Sequence, residues 1–189
     1  MRKLDRLARD TGINQLYIKR DDLSGRVFGG NKVRKFEFML GHALKSGIKE
    51  VLTFGFAGAN HALATAVTAQ QVGLKSISMM MPEPQLRYAC SNLSMTYYCG
   101  AELHHQPNKQ LLILATAYQL IRHKIKNGRL PLFISGYSTS PLGATGFVNS
   151  AFELKEQVMA GEIPEPDYIY VGKGTGGTTA GLMLFSPTC

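Results

Sequence analysis

The sequence predicts an α/β fold, made of parallel twisted sheets with flanking helices. Two observations carry this. Short β-rich runs alternate with helically periodic segments along the chain. Several of those runs also break at glycine-marked turns from which a helix starts. Parallel strands need a long crossover between them, and a helix supplies it.

Taken in order, "LYIKR" (16–20) is the first predicted strand. "GGNKVRKFEF" (29–38) sets two glycines and an asparagine before Lys32, then starts a helix. Such framing holds the lysine amine close to the chain. "EVLTFG" reads as a second strand, and "GFAGANHALATA" (55–66) turns from it into a helix with Asn60 and His61 at the start. "KSISMMM" is the third strand, its methionines serving as core filler. In 84–98 a helix begins at Pro84 and turns Leu86, Cys90, Leu93 and Tyr97 inward, with Gly100 after it. "AELHHQ" follows as a strand. Its His104 and His105 point to opposite faces and cannot ligate one metal together.

Over 109–127, Leu111, Leu114, Tyr118, Ile121 and Ile125 form one helical stripe, capped by Asn108 and closed by Gly128. "LPLFISG" is the next strand. Ser140 and Pro141 then open a helix whose Phe147, Ala151, Leu154 and Val158 face the core. "DYIYVG" (167–172) is predicted as a sixth strand, leading into a glycine-rich turn and a helix that stops after about two turns. The sequence reads there as ending prematurely.

Composition narrows the function. With 189 residues, 44% of them hydrophobic, the chain can bury a core as one domain or two small ones. The formal charge of +8 would suit nucleic acid, but the basic residues are scattered, which favours anionic small molecules instead. Cys90, Cys99 and Cys189 form no CxxC, so neither a disulfide framework nor a zinc site is indicated. "LLILATAYQLI" is too short to span a bilayer, and the charged N-terminus lacks the apolar stretch of a secretion signal. The expected location is the cytoplasm. Asp21 and Asp22 are read as ordering the loop before Lys32.

"GKGTGGTTAGL" (172–182) presents backbone N–H groups at a helix start, an arrangement that binds phosphate. Gly172, Gly174 and Gly177 also satisfy G-x-G-x-x-G, so a nucleotide-binding half-domain stays open as a reading, whereas Thr178 stands where a P-loop lysine would be. A framed lysine together with a phosphate cradle points to a cofactor with both an aldehyde and a phosphate: pyridoxal 5'-phosphate. An asparagine at position 60 could hold that ring through its phenolate oxygen.

"YIKRDDLSG", "GGNKVRK", "GANHALATA", "SPLGATGFVNSAFEL" and "GTGGTTAGL" together resemble the D-cysteine desulfhydrase and 1-aminocyclopropane-1-carboxylate deaminase family. That family belongs to the tryptophan synthase β-like, fold type II pyridoxal phosphate enzymes. The resemblance implies that Lys32 condenses with the cofactor, that Asn60 touches the ring oxygen, and that Gly174, Thr175, Gly176, Gly177 and Thr178 hold the phosphate. It also implies a small βα domain over 42–155, inserted into a large domain that is incomplete here and comprises 1–41 and 156–189.

A small amino acid would be the substrate, near Ala59, His61 and Tyr137, and the full-length family implies a homodimer. An incoming amino acid would displace Lys32, whose freed amine then serves as base. D-cysteine would yield pyruvate, ammonia and sulfide; aminocyclopropane carboxylate would yield 2-oxobutanoate and ammonia. Two departures stand out. The family has serine where this chain has Ala59, and its members are considerably longer. A catalytically dead cofactor-binding or interaction protein is therefore a rival reading.

Overall fold

The computed structural model describes residues 1–83, 87–135 and 140–185. Arg2–Lys3 (β1) pairs antiparallel with Tyr17–Ile18 (β2) around the helix Asp5–Thr11 (α1). The strand expected over 16–20 is thus two residues long and lies outside the main sheet. A 3-10 turn at Asp21–Leu23 leads to the helix Asn31–Lys45 (α2).

Strict alternation of strand and helix follows. Glu50–Phe56 (β3), Asn60–Gln71 (α3), Lys75–Met81 (β4), Arg87–Tyr98 (α4), Glu102–His105 (β5), Lys109–Asn127 (α5) and Leu132–Ile134 (β6) precede two further helices, Pro141–Met159 (α6) and Gly177–Leu182 (α7). The four strands β3 to β6 form one parallel sheet in the order β5-β4-β3-β6. The chain steps outward from β3 to β5, then returns to pair β6 on the other side of β3. Its winding reverses between β3 and β6.

Period-two alternation along β3 feeds two cores. Val51 joins Ile134 and the α2 residues Phe36, Met39, Leu40 and Ala43 on one face, with Ala64 and Ala69 of α3. Leu52 joins Ile77, Met79 and Leu112 of α5 on the other. A sheet covered on both faces is what parallel strands require, and β3 and β4 are accordingly buried on both faces, including their small polar residues Thr53, Ser76 and Ser78.

Three helices near the chain's ends are joined by glycine contacts. A Cβ at Gly146 of α6 would lie 2.0 Å from the Arg34 carbonyl oxygen of α2. One at Gly181 of α7 would lie 2.5 Å from Phe147 Cβ and 2.9 Å from the Ala144 carbonyl oxygen of α6. Around this junction Glu153 accepts from Lys19 at 2.9 Å and from Arg34 at 2.8 Å, while Arg34 also donates to Asp21 at 2.8 Å. Asp21 and Asp22 take different partners: Asp22 pairs with Arg20 instead.

The structure corrects several sequence expectations. The stripe Leu111, Leu114, Tyr118, Ile121 and Ile125 faces outward, and α5 instead buries Leu112, Thr116, Gln119 and His123. The inner face is polar because it meets Glu50 at the start of β3, where His123 Nδ1 and Asn127 Nδ2 lie 2.8 Å and 2.7 Å from Oε2. In α4, Cys90 and Tyr97 are exposed and Leu93 half-buried, whereas Thr96 is buried. Leu86 lies outside the described residues. Val158 is only half-buried. The segment "DYIYVG" forms no strand: it finds no ladder partner among the described residues, and Tyr168, Ile169, Tyr170 and Val171 are exposed. The helix caps at Asn108, Gly128 and Ser140 form as expected. Among the described residues, no helix is long and apolar enough to cross a membrane.

Candidate functional site

In open α/β sheets a ligand settles outside the carboxyl ends of the strands where the winding reverses. Here that point lies between β3 and β6. The exit from β6 includes Tyr137, which lies outside the described residues. The exit from β3 is the turn 57–60 that starts α3.

Lys32 is the second residue of α2, half-buried. The two glycines before it are obligatory for different reasons. A Cβ at Gly29 would sit 1.8 Å from the Asp22 carbonyl oxygen, and Gly30 caps the helix at φ 114°, a conformation that strains any other residue. The Gly30 N–H also donates to the Asp21 carbonyl at 2.6 Å. The aspartate loop therefore pins the point where the lysine leaves the chain. Among the described residues no carboxylate pairs with Lys32.

Its neighbours are basic as well. Burial, then the Lys32 charge, push the Lys35 amine below the ordinary lysine range. The Lys35 side chain is turned inward, 4% exposed, with Nζ 6.0 Å from the centre of the Phe147 ring. Burial first, then the Lys32 charge, push the His61 imidazole down to about 4, against a hydrogen bond to the Ile134 backbone and with Lys35 adding to the depression. His61 Nε2 lies 2.7 Å from the Thr53 hydroxyl, and the ring sits 5.8 Å from Phe36. This histidine is a neutral core residue. Its side chain packs inward and does not share the outward exposure of Asn60.

Asn60 opens α3 and is exposed, while Ala59 is the N-cap with no side chain able to cap. Asn92 of α4 donates from Nδ2 to the Gly58 carbonyl and to Asn60 Oδ1, at 2.8 Å each. Gly58 makes this approach possible: its φ is +73°, and a Cβ there would lie 2.2 Å from the Ala89 carbonyl oxygen of α4. The spacing of Ala89, Asn92 and Thr96 puts the packed side of α4 on this turn.

The glycine turn precedes α7, with Gly174 and Thr175 exposed, Gly176 and Thr178 half-buried and Gly177 buried. Gly176 caps α7 at φ 84°. The first helical bond runs from the Ala180 N–H to the Gly176 carbonyl at 2.8 Å, so the N–H groups from Gly177 to Thr179 have no helical acceptor. Beside them the Thr179 hydroxyl is buried without a partner among the described residues. α6 packs against both α2 and α7, and so connects this turn to the helix that carries Lys32.

Sequence reasoning found Lys32, Asn60 and the glycine turn from their local framing. It missed Lys35 and Asn92. The i, i+3 spacing of the two lysines in "NKVRK" could have flagged the first; nothing local marks Asn92, which lies 32 residues from its partner.

The geometry can be set beside known proteins. The model of the family "Pyridoxal-phosphate dependent enzyme" matches residues 1–186. A Pyrococcus abyssi protein named "Putative 1-aminocyclopropane-1-carboxylate deaminase" is 34% identical over 184 residues, covering 97% of this chain and 54% of its own length. A D-cysteine desulfhydrase of Serratia proteamaculans is 31% identical over 193 residues, covering 97% and 56%. The crystal structure of an ACC deaminase homologue superposes with a TM-score of 0.78 at 32% identity, over 97% of this chain and 54% of that one. A serine racemase of maize, at 20% identity and a TM-score of 0.69 over 97% of this chain and 50% of that one, shares the fold. The chain spans about half the length of the curated relatives it matches.

Proposed function

Since this chain belongs to the pyridoxal-phosphate dependent enzyme family, we propose that it carries the cofactor-anchoring lysine of a lyase acting on a small amino acid. Elimination from D-cysteine, giving pyruvate, ammonia and sulfide, is the reading we favour; opening of aminocyclopropane carboxylate is the second. Relatives bearing both names match at similar identity.

The residues fit the family's cofactor. Among the described residues, a pinned amine without a carboxylate partner, an exposed amide, N–H groups without a helical acceptor at a helix start and an unpartnered buried hydroxyl form a donor set suited to an aldehyde, a phenolate and a phosphate. When bound, pyridoxal phosphate supplies the aldehyde that captures an amine and the ring that accepts electron density.

The chain's own residues do the rest. Lys32 Nζ would bind the aldehyde carbon and, when free, would take and return the substrate proton. Asn60 would hold the ring oxygen, and Gly174, Thr175, Gly176, Gly177 and Thr178 would hold the phosphate. Ala59, at the position where the resemblance expects serine, has no proton to move, which leaves that work to Lys32. The inward His61 lends its uncharged ring to the packing behind the lysine.

The division into 1–41 with 156–189 and 42–155 belongs to this proposal, as do a homodimer and a cytoplasmic location. The free thiols of Cys90 and Cys99 agree with the last. The observation that carries the reading is the framing of Lys32. Borohydride reduction of the cofactor-loaded chain, followed by peptide mapping, places a pyridoxyl mass on Lys32. A mass on Lys19, Lys35 or Lys173, or none, overturns it. Sulfide release from D-cysteine, measured against 2-oxobutanoate from aminocyclopropane carboxylate, separates the two substrates.

Two rivals remain distinguishable. A dinucleotide site needs a strand ahead of its glycine turn, and 167–172 forms none among the described residues. A cofactor-binding protein without turnover is favoured by Ala59 and by the chain's spanning about half the length of its relatives. It would take the label on Lys32 and release neither product.

A further inference from the structure

The Asn92 amide has two protons and both are used. One lies on the Gly58 carbonyl and the other on Asn60, each with Nδ2 as the donor at 2.8 Å. A backbone carbonyl can only accept, so the Asn92 group facing it must be the NH2. The same nitrogen faces the Asn60 side chain, and two NH2 groups cannot share a hydrogen bond. The Asn60 atom at that contact is therefore its oxygen, and its own NH2 must point the other way. Asn60 is exposed, so that NH2 is open to a ligand.

We propose that Asn92 is a positioning residue, which holds the Asn60 amide in the one orientation that presents a donor to an anionic oxygen. The role rests on the reading of Asn60 as facing the cofactor's phenolate. Without Asn92, the Asn60 amide could turn over and present its carbonyl to that oxygen, replacing an attraction by a repulsion. The arrangement is built in from both sides. Gly58 admits the α4 backbone, and α4 then sets Asn92 one turn beyond Ala89. An aspartate at 92 offers only acceptors, so it favours the reversed Asn60 amide.

Two measurements on the whole chain test this separately. The first uses side-chain amide NMR without cofactor. In the parent the Asn92 NH2 protons exchange slowly and those of Asn60 fast; in Asn92→Asp the Asn60 protons become slow. Unchanged Asn60 exchange overturns the proposal. The second uses pyridoxal phosphate titration, read from the visible absorption of the bound cofactor. Asn92→Asp and Asn60→Ala each weaken binding about tenfold, the worth of one good hydrogen bond. They shift the absorption band alike, and the double variant is no weaker than either single one.

Losses that multiply, or an Asn92→Asp band identical to the parent while Asn60→Ala shifts, overturn the positioning role. If Asn60→Ala binds the cofactor as the parent does while the NMR reversal still occurs, the cofactor-facing reading of Asn60 fails, and this role with it. Asn92→Ala, which removes the donors without adding a charge, serves the titration if the aspartate variant does not fold. Parent-like affinity and band in that variant likewise overturn the proposal.

Discussion

The two ends of the parallel sheet treat their polar groups in opposite ways. Where β3 begins, Glu50 is 6% exposed and His123 is 2% exposed; Glu50 is bound by His123 and Asn127, and His123 Nε2 lies 3.6 Å from Glu102. Glu102 in turn binds His104 at 2.8 Å and Arg122 at 3.1 Å. Where β3 ends, Asn60 is exposed, Lys32 lacks a carboxylate among the described residues, and His61 is neutral among lysines. Each end contains a buried histidine, but His123 is met by carboxylates, whereas His61 lies against the Thr53 hydroxyl and is held uncharged by burial and by the charges of Lys32 and Lys35. At the closed end the Glu50 carboxylate is met within the chain, although His123 Nε2 has no hydrogen-bond partner among the described residues; at the open end Asn60 and Lys32 face outward with donors to spare.

Breaking the closed end has the largest effect expected. Glu50→Ala strands the buried His123 and removes the acceptor of Asn127, and lowers the unfolding free energy by about 3 kcal/mol. Glu50→Gln, which keeps one acceptor, costs less. Urea denaturation measures both, and a loss for the alanine below about 1 kcal/mol would mean that water replaces the carboxylate.

Acid sharpens the contrast next. The folded-state pKa of His61 lies below its ordinary 6.5, at about 4, so the unfolded chain binds the proton first. The stability this neutral histidine contributes is present above pH 6.5 and is lost as pH falls toward 4. The loss is at most about 3 kcal/mol. Glu153 follows at lower pH. Burial would raise its carboxyl, but hydrogen bonds from Lys19 and Arg34 outweigh it and hold the group below its ordinary 4.5. Its contribution is present above that value and disappears below it. Thermal unfolding from pH 7 to 4 should show the first slope, and His61→Gln should flatten it. An unchanged slope in that variant would assign the acid sensitivity elsewhere.

Ala59→Ser adds the missing cap at the open end and should stabilise by about 1 kcal/mol. A rise in melting temperature checks this; no rise would mean that the first turn of α3 is already satisfied.

Lys32→Ala has the smallest effect on stability, within about 0.5 kcal/mol, while abolishing the pyridoxyl label. It also removes a charge that depresses His61, so the acid slope should move to higher pH. A large destabilisation would instead make Lys32 a structural residue.

The same contrast explains what was legible in the sequence. β3 and β4 were readable because each is a short β-rich run, over 51–54 and 77–81, bounded by turn signals. Lys32, Asn60 and the glycine turn were readable because their framing is local, in the residues immediately before each helix. The inner face of α5 was not readable: its apolar stripe looked like core, and only the position of Glu50 explains why Thr116, Gln119 and His123 are inside. "DYIYV" is rich in strand-favouring residues, but composition cannot supply a neighbouring strand. Asn92 acts through a bond to a residue far away in the chain, and no local pattern records such a bond.

The glycines at 146 and 181 have a mechanical consequence. Backbone against backbone has no rotamers to absorb displacement, so α6 works as a stiff ruler between α2 and α7. The separation between the lysine at one end and the glycine turn at the other is set by the diameter of bare helix, which thermal motion of side chains leaves unchanged. A single methyl group at position 146 would lengthen that ruler, shifting both ends of the site without touching either.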